Sequence, residues 1–174
     1  MSTTPPIAAL TLRPVSGDNW RAVARLAVSA EQRAFVTEPA YYLAMCAYDG
    51  LWQPLAMEVA GTHGVLVVGF MMWAVDPADQ SCWLGGILVD QGQQRRGYGR
   101  QAIQAALALL SSEHGHQNFA LSYDPANATA KRLYHSLGFV ETGEQSDDEM
   151  VARLNQEEGE GIKAKAKNKM EPPE

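Results

Sequence analysis

A chain of 174 residues with 46 % hydrophobic and 20 % charged side chains has the make-up of one folded domain, not of a disordered polymer. Its formal charge of −6, with an isoelectric point near 5.2, lacks the cationic footprint of a nucleic-acid binder and tolerates cationic small molecules. Two cysteines, Cys46 and Cys82, cannot staple a small scaffold, no Cys/His cluster has metal-ligand spacing, and the longest apolar run, Val65–Val75, is too short for a bilayer.

Met1–Pro6 shows no basic flank followed by an apolar run, so the reading predicts no leader, no membrane partner and a cytoplasmic protein. A first strand is expected over Ala8–Val15. Asp18 is a candidate N-cap for a helix whose apolar side repeats at Trp20, Val23 and Leu26. Pro39 suits the first turn of a second helix, running through Tyr42, Met45 and Cys46 to a turn at Asp49-Gly50. β-formers fill Pro54–Ala60 and Val65–Val75, and Gly61-Thr62-His63-Gly64 between them predicts a hairpin, ended by Asp76-Pro77. Ser81–Val89 is the next strand. Gly85-Gly86 inside it predicts a bulge or a close approach to the backbone.

A helix follows over Gly97–His114, with Ile103, Ala106, Leu107 and Leu110 on one apolar face. Phe119–Tyr123 is a short strand, Asn127–Leu137 a helix stopped by Gly138, and Phe139–Gly143 and Glu149–Leu154 are two last strands. The order is a mixed α/β pattern. From Asn155 apolar residues almost vanish, glutamates cluster at 157, 158 and 160, and Lys163, Lys165, Lys167 and Lys169 alternate with small residues. Residues 1–154 are therefore read as the domain and 155–174 as a solvated, charged tail.

The segment Gln94-Arg95-Arg96-Gly97-Tyr98-Gly99-Arg100 follows a strand and opens a helix. A helix start carries unpaired N–H groups and the positive end of the dipole, so it attracts anions. Glycines let the backbone approach a phosphate without Cβ collisions. The segment is not a P-loop, because no Gly-Lys-Ser/Thr follows, and its glycine spacing is wrong for a dinucleotide fingerprint. Taken alone, the two glycines are equally well explained by a tight turn.

A second segment, Asn127-Ala-Thr-Ala130-Lys-Arg-Leu133-Tyr134-His-Ser-Leu-Gly138-Phe139, lies one helix and one strand downstream. Together the two segments resemble the GCN5-related N-acetyltransferase family. Gln94-x-x-Gly97-x-Gly99 fits its acetyl-CoA pyrophosphate motif, and the second segment fits Asn-x-x-Ala-x-x-Leu-Tyr-x-x-x-Gly-Phe at each fixed position. Many members have glycine after the Gln/Arg, where this chain has Arg95. An N–H there still reaches phosphate if its φ is negative.

The resemblance implies a central, mostly antiparallel twisted sheet of six to seven strands, splayed at the cofactor site and flanked by about four helices. It implies acetyl-CoA as donor and direct attack by an amine, with neither cysteine as nucleophile. Backbone N–H groups of Arg96, Gly97, Tyr98, Gly99 and Arg100, with Arg95 beside them, are expected to cradle the pyrophosphate, and Gln94 to brace the loop. Ile87, Leu88 and Val89 are expected to pair with the pantetheine arm, with the N–H of Leu88 or its neighbour polarising the thioester carbonyl. Asn127 is expected to contact the cofactor, cap the helix, or both. Tyr134 is expected to be the general acid toward the CoA thiolate, a phenol near 10 facing a thiol near 8.5.

For the general base, Glu31, Glu38 and Asp76 are candidates, whereas Asp90 reads as a turn or cap residue. The stretch from Asp18-Asn19-Trp20 through Glu31-Gln32 and Ala34-Phe35-Val36, with Trp83-Leu84 and Asp90, loosely resembles bacterial spermine/spermidine acetyltransferases of the family. Those enzymes tend to have an acidic residue just after Trp-Leu, where this chain has Gly85-Gly86. A small-molecule amine is the expected acceptor, a polyamine among the candidates. Drugs, amino acids, protein N-termini and a non-catalytic acetyl-CoA sensor are the alternatives. The resemblance also admits a homodimer, with Tyr41-Tyr42 and Met71-Met72-Trp73 serving either an interface or the core.

Overall fold

A computed structural model of the protein describes residues 9–156; the Ala8 end of the first expected strand and residues 157–174 of the expected tail lie outside them. The described residues form seven strands: β1 (Leu10–Pro14), β2 (Gln53–Gly61), β3 (Gly64–Val75), β4 (Cys82–Val89), β5 (Asn118–Tyr123), β6 (Val140–Ser146) and β7 (Glu149–Asn155), all but β6 rich in apolar residues. They form one sheet in the order β1-β2-β3-β4-β5-β7-β6. Four helices flank it: α1 (Trp20–Ala24), α2 (Pro39–Asp49), α3 (Tyr98–His114) and α4 (Ala128–Ser136).

Every neighbouring pair is antiparallel except β4 and β5. That parallel pair is joined only at Cys82↔Phe119 and Trp83↔Ala120. Beyond it the two strands part, so their C-terminal halves border a cleft. The open end of a parallel pair is where α/β sheets bind ligands.

Period-two alternation splits the apolar residues between two faces. On one, Met57, Val68, Met71, Leu84, Phe119 and Leu121 pack against Ile103, Ala106 and Leu110 of α3 and Tyr134 of α4. On the other, Ala56, Phe70, Met72 and Leu88 pack against Val23 and Leu26, with Tyr42, Leu43, Met45 and Cys46 of α2 alongside. Met71 and Met72 thus serve the core, and Trp73 packs beside His114 and His116, whereas Tyr41 is exposed. Cys82 is fully buried, and burial pushes its thiol up to about 12, so it stays neutral.

Four expectations need correction. Asp18 does not cap α1. Asn19 holds that position, and its amide instead accepts from the Ser16 N–H at 2.9 Å and donates to Glu58 at 3.0 Å. The helix ends at Ala24, yet Leu26 beyond it is still buried. The strand expected to end at Gly143 continues to Ser146 through a register shift between Glu141 and Gln145. As an edge strand with both faces largely exposed, β6 has no apolar alternation to read. Asn155, expected to begin the tail, still belongs to β7 and pairs with Asn118.

Candidate active site

The cleft begins at an irregularity in β4. Met72 pairs with Gly85 and Phe70 with Leu88, so Gly86 and Ile87 together face Met71, a bulge in which Gly86 takes φ +58. Both readings of Gly85-Gly86 hold, because the backbone is also closely approached. A Cβ on Gly85 would stand 3.1 Å from the Trp52 ring, and one on Gly86 would stand 3.2 Å from Phe70.

The bulge decides which peptide groups face the cleft. The Asp90 N–H donates to the Val68 carbonyl of β3 at 2.8 Å. Strand alternation then turns the peptide groups of Leu88 toward β3 and those of Val89 away from it. The Val89 carbonyl indeed accepts from the Gln94 side chain at 3.0 Å, outside the ladder. Leu88, expected as the polarising donor, is therefore engaged with β3. Its neighbours Ile87 and Val89 present the free side of the strand.

The loop after β4 is tied down at several points. Asp90 accepts from the Ala27 N–H at 3.1 Å and from the Gly92 N–H at 3.0 Å, the cap role its position suggests. Gln94 also donates to Gln32 at 2.7 Å, a partner that sequence spacing gives no means to find. Arg95 takes φ +60, so the negative φ that its N–H would need for phosphate contact is not met. A glycine enters this region freely, and a non-glycine residue at a cost of order 1 kcal/mol. Gly97, at φ +78, turns the chain into α3. The first intrahelical bond runs from the Gln101 N–H to the Gly97 carbonyl at 3.1 Å, leaving the N–H groups of Tyr98, Gly99 and Arg100 without i−4 partners. The Tyr98 side chain is buried, while those of Arg95, Arg96 and Arg100 are exposed. Arg100 donates to Ser136, joining the start of α3 to the end of α4.

On α4, Asn127 caps the helix by accepting from the Ala130 N–H at 3.1 Å. The spacing from Tyr134 to Phe139 has a physical reason. The Phe139 N–H donates to the Tyr134 carbonyl at 3.1 Å and the Gly138 N–H to the His135 carbonyl at 3.0 Å, with Gly138 at φ +96. This is a Schellman termination, which brings the side chains of its third-last helical residue and the residue after glycine together. Those residues are Tyr134 and Phe139, whose ring centroids lie 6.2 Å apart. The motif thus fixes the tyrosine by ending its helix.

Tyr123 completes the clamp. Its ring lies 5.5 Å from that of Tyr134, and its hydroxyl donates to Glu141. The Glu141 carboxylate is held in turn by Lys131 at 2.8 Å, which holds its carboxyl below the usual range with help from the Tyr123 hydroxyl. Lys131 and Tyr134 share α4, so the chain of contacts closes on itself. Burial pushes the Tyr134 phenol well above the usual tyrosine range, and Glu149 and Tyr123 add to the shift. No buried side-chain polar atom among the described residues lacks a partner, and the Tyr134 hydroxyl has no protein partner there, so its oxygen is accessible to solvent.

None of the three candidate bases belongs to this cluster. Asp76 closes the β3–β4 turn by accepting from the Ala78 N–H at 2.8 Å. Exposed Glu31 is held low by its own N–H and Ser29, and exposed Glu38 sits at the N-cap of α2. The carboxylate that acts on Tyr134 is Glu149, which accepts from the Ser122 hydroxyl. Tyr123, Glu141 and Glu149 went unread because their proximity depends on β5–β7 and β7–β6 pairing. A hollow of about 610 Å³ lies elsewhere, between α1 and the β2–β3 hairpin.

The sequence profile of the acetyltransferase (GNAT) family matches residues 20–139. The chain belongs to this family. The fold agrees with solved structures. A domain from Methanocaldococcus jannaschii DSM 2661 superposes with a TM-score of 0.70 at 15 % identity, over 85 % of this chain and 99 % of that one. Spermidine N-acetyltransferase from Vibrio cholerae, solved with CoA and spermine, gives 0.65 at 20 % identity, over 84 % and 94 %. RimJ of Mycobacterium smegmatis, solved with CoA-disulfide, gives 0.64 at 17 %, over 88 % and 85 %. At such identities the likeness is one of fold. A search of curated proteins found no match to the chain. This GNAT acetyltransferase uses acetyl-CoA as its donor. No helix among the described residues is long and apolar enough to cross a membrane.

The cleft suits that donor. A left-handed glycine at a 17-residue helix start, three unpartnered N–H groups and exposed arginines match a pyrophosphate, and the free edge of β4 matches an extended amide chain.

Proposed function

We propose that this acetyltransferase acetylates a primary amine of a small molecule at the cleft between β4 and β5. The charge of −6 supports a cationic amine as the acceptor, and the Vibrio cholerae fold relative was solved with one. Acetyl-CoA supplies an activated thioester, whose acyl C–S bond breaks as the amine nitrogen forms the new C–N bond. The sulfur leaves with the electron pair, and the proton lost by nitrogen ends on it.

In this reading the N–H groups of Arg96 to Arg100 hold the pyrophosphate. Arg95 contributes side-chain charge in place of its N–H, and Gln94 braces the loop through Val89 and Gln32. The Asn127 amide N–H₂ reaches toward the cofactor while its oxygen caps α4. The N–H groups of Ile87 and Val89 pair with the pantetheine arm and polarise the carbonyl, a donor set fixed before the reaction begins. Tyr134 serves as hydrogen-bond donor to the departing sulfur. The raised phenol stays protonated at neutral pH and is available to donate to the sulfur as it leaves, while the proton lost by the amine balances the step.

The observation carrying this proposal is the Tyr134 ring, fixed by the Schellman turn against Phe139, with a hydroxyl that no protein group engages. Tyr134→Phe is expected to lower kcat on the order of 10²-fold, within the usual range for such groups, while acetyl-CoA affinity by calorimetry stays within about twofold. Equal losses in both would make Tyr134 a packing residue.

A further inference from the structure

We infer that the acceptor amine is carried on a flat or apolar body, and not on a polycationic chain. The inference rests on the acetyl-transfer reading above and concerns which amine enters.

Tyr134, Ile87 and Val89 belong to the α3 and α4 side of the sheet. The amine and the departing sulfur occupy different corners about the carbonyl carbon. With the sulfur facing Tyr134, the amine arrives from the α2 side. There β4 offers Gly85 and Gly86, both partly exposed and without side chains. Around them stand Trp52 and Tyr42, half-buried, over Phe70 and Met72. A Cβ on Gly85 would meet Trp52 Cη2 and Cζ3 at 3.1 Å and Met72 Cε at 3.4 Å. A Cβ on Gly86 would meet Tyr42 Cδ2 at 3.5 Å. The rings are held in place: Tyr42 stacks on Phe70 at 6.0 Å and 16°, and its hydroxyl accepts from the Thr37 N–H at 3.1 Å.

None of these side chains is charged. An ammonium group pressed against these four side chains loses hydration, and none of them carries a charge to replace it. A planar or apolar body instead gains from area removed from water and from ring contacts. The space in which a residue at position 85 would carry a carboxylate is filled by Trp52. Trp52 is thus the specificity residue, and Gly85 is the glycine that makes room for it.

The test compares initial rates of CoA-thiol release with phenethylamine, tyramine and tryptamine against putrescine and spermidine, on the full chain. The expected result is a kcat/KM at least about tenfold higher for the arylalkylamines. Trp52→Leu should raise their KM severalfold with the acetyl-CoA KM unchanged. The pair Trp52→Ala with Gly85→Glu, which vacates the wall and adds a carboxylate, should move the preference toward spermidine. Gly85 lies outside the left-handed region, so its backbone accepts a side chain once the ring is gone. Turnover of polyamines at equal or higher kcat/KM by the unmodified chain overturns this inference and leaves the acetyltransferase reading standing. Loss of acetyl transfer to every amine, with acetyl-CoA still bound, overturns both.

Discussion

At the scale of single residues, the clamp around Tyr134 makes the protein's response to alkali specific. Burial and the Glu141 carboxylate push the Tyr123 phenol up to about 12. In the unfolded chain it titrates near 10. Above about 10 the unfolded state releases a proton that the folded state keeps, so the stabilisation is complete below that pH and is lost as pH rises through about 12. Tyr134 shifts in the same direction. The melting temperature is expected to fall steadily from pH 10 upward. Tyr123→Phe, which keeps the ring and drops the hydroxyl, should melt lower at neutral pH and fall less steeply in alkali. Parallel curves for the two proteins would contradict this assignment. The placement of the Tyr134 ring was legible because it is written locally, in the six residues from Tyr134 to Phe139 that close α4. Tyr123 and Glu141 were not, because they meet only through sheet pairing. The choice between Leu88 and its neighbours was not legible for a related reason: one bulged residue reverses which peptide groups pair with β3, and its position follows from the finished register.

At the scale of elements, the proposed pyrophosphate site lies at the start of α3, and the entry to that helix depends on backbone sign. Gly97 at φ +78 cannot be replaced by a β-branched residue without strain of about 1–2 kcal/mol or a shift of the helix start. Gly97→Val is expected to weaken acetyl-CoA binding about tenfold or more in a calorimetric titration. Arg95→Gly, at a position already left-handed, should keep the melting temperature and lose affinity only modestly, and less at high salt. Normal binding by Gly97→Val would remove the phosphate role from this loop. Helices α2, α3 and α4 were legible almost to the residue, since Pro39, Gly97 and Gly138 mark their ends by sterics alone. The strand β6 was cut short, because an edge strand with polar residues on both faces carries no period. Helix α1 is brief, and the Asn19 side chain is spent on the tie to Glu58.

At the scale of the molecule, one parallel joint in an otherwise antiparallel sheet creates the cleft. Two residue pairs hold β4 to β5, and the rest of both strands is free to line a ligand. The sheet's two faces differ: one side seats α3 and α4 with the Gly97 turn and the Tyr134 phenol, the other seats α1 and α2 with Trp52, Tyr42 and Phe70. Family and donor were legible from two short motifs because each encodes a backbone turn. The acceptor side was not, since Trp52 and Gly85 are brought together by packing across 33 residues of chain. The most direct test of the account is thiol release from acetyl-CoA by the full chain, with and without a primary amine, together with mass analysis of the amine. The account predicts amine-dependent release matched one to one by N-acetylated product. Tight acetyl-CoA binding with no amine-dependent release across aryl, alkyl and polyamine acceptors would contradict it and leave a protein that only binds the donor.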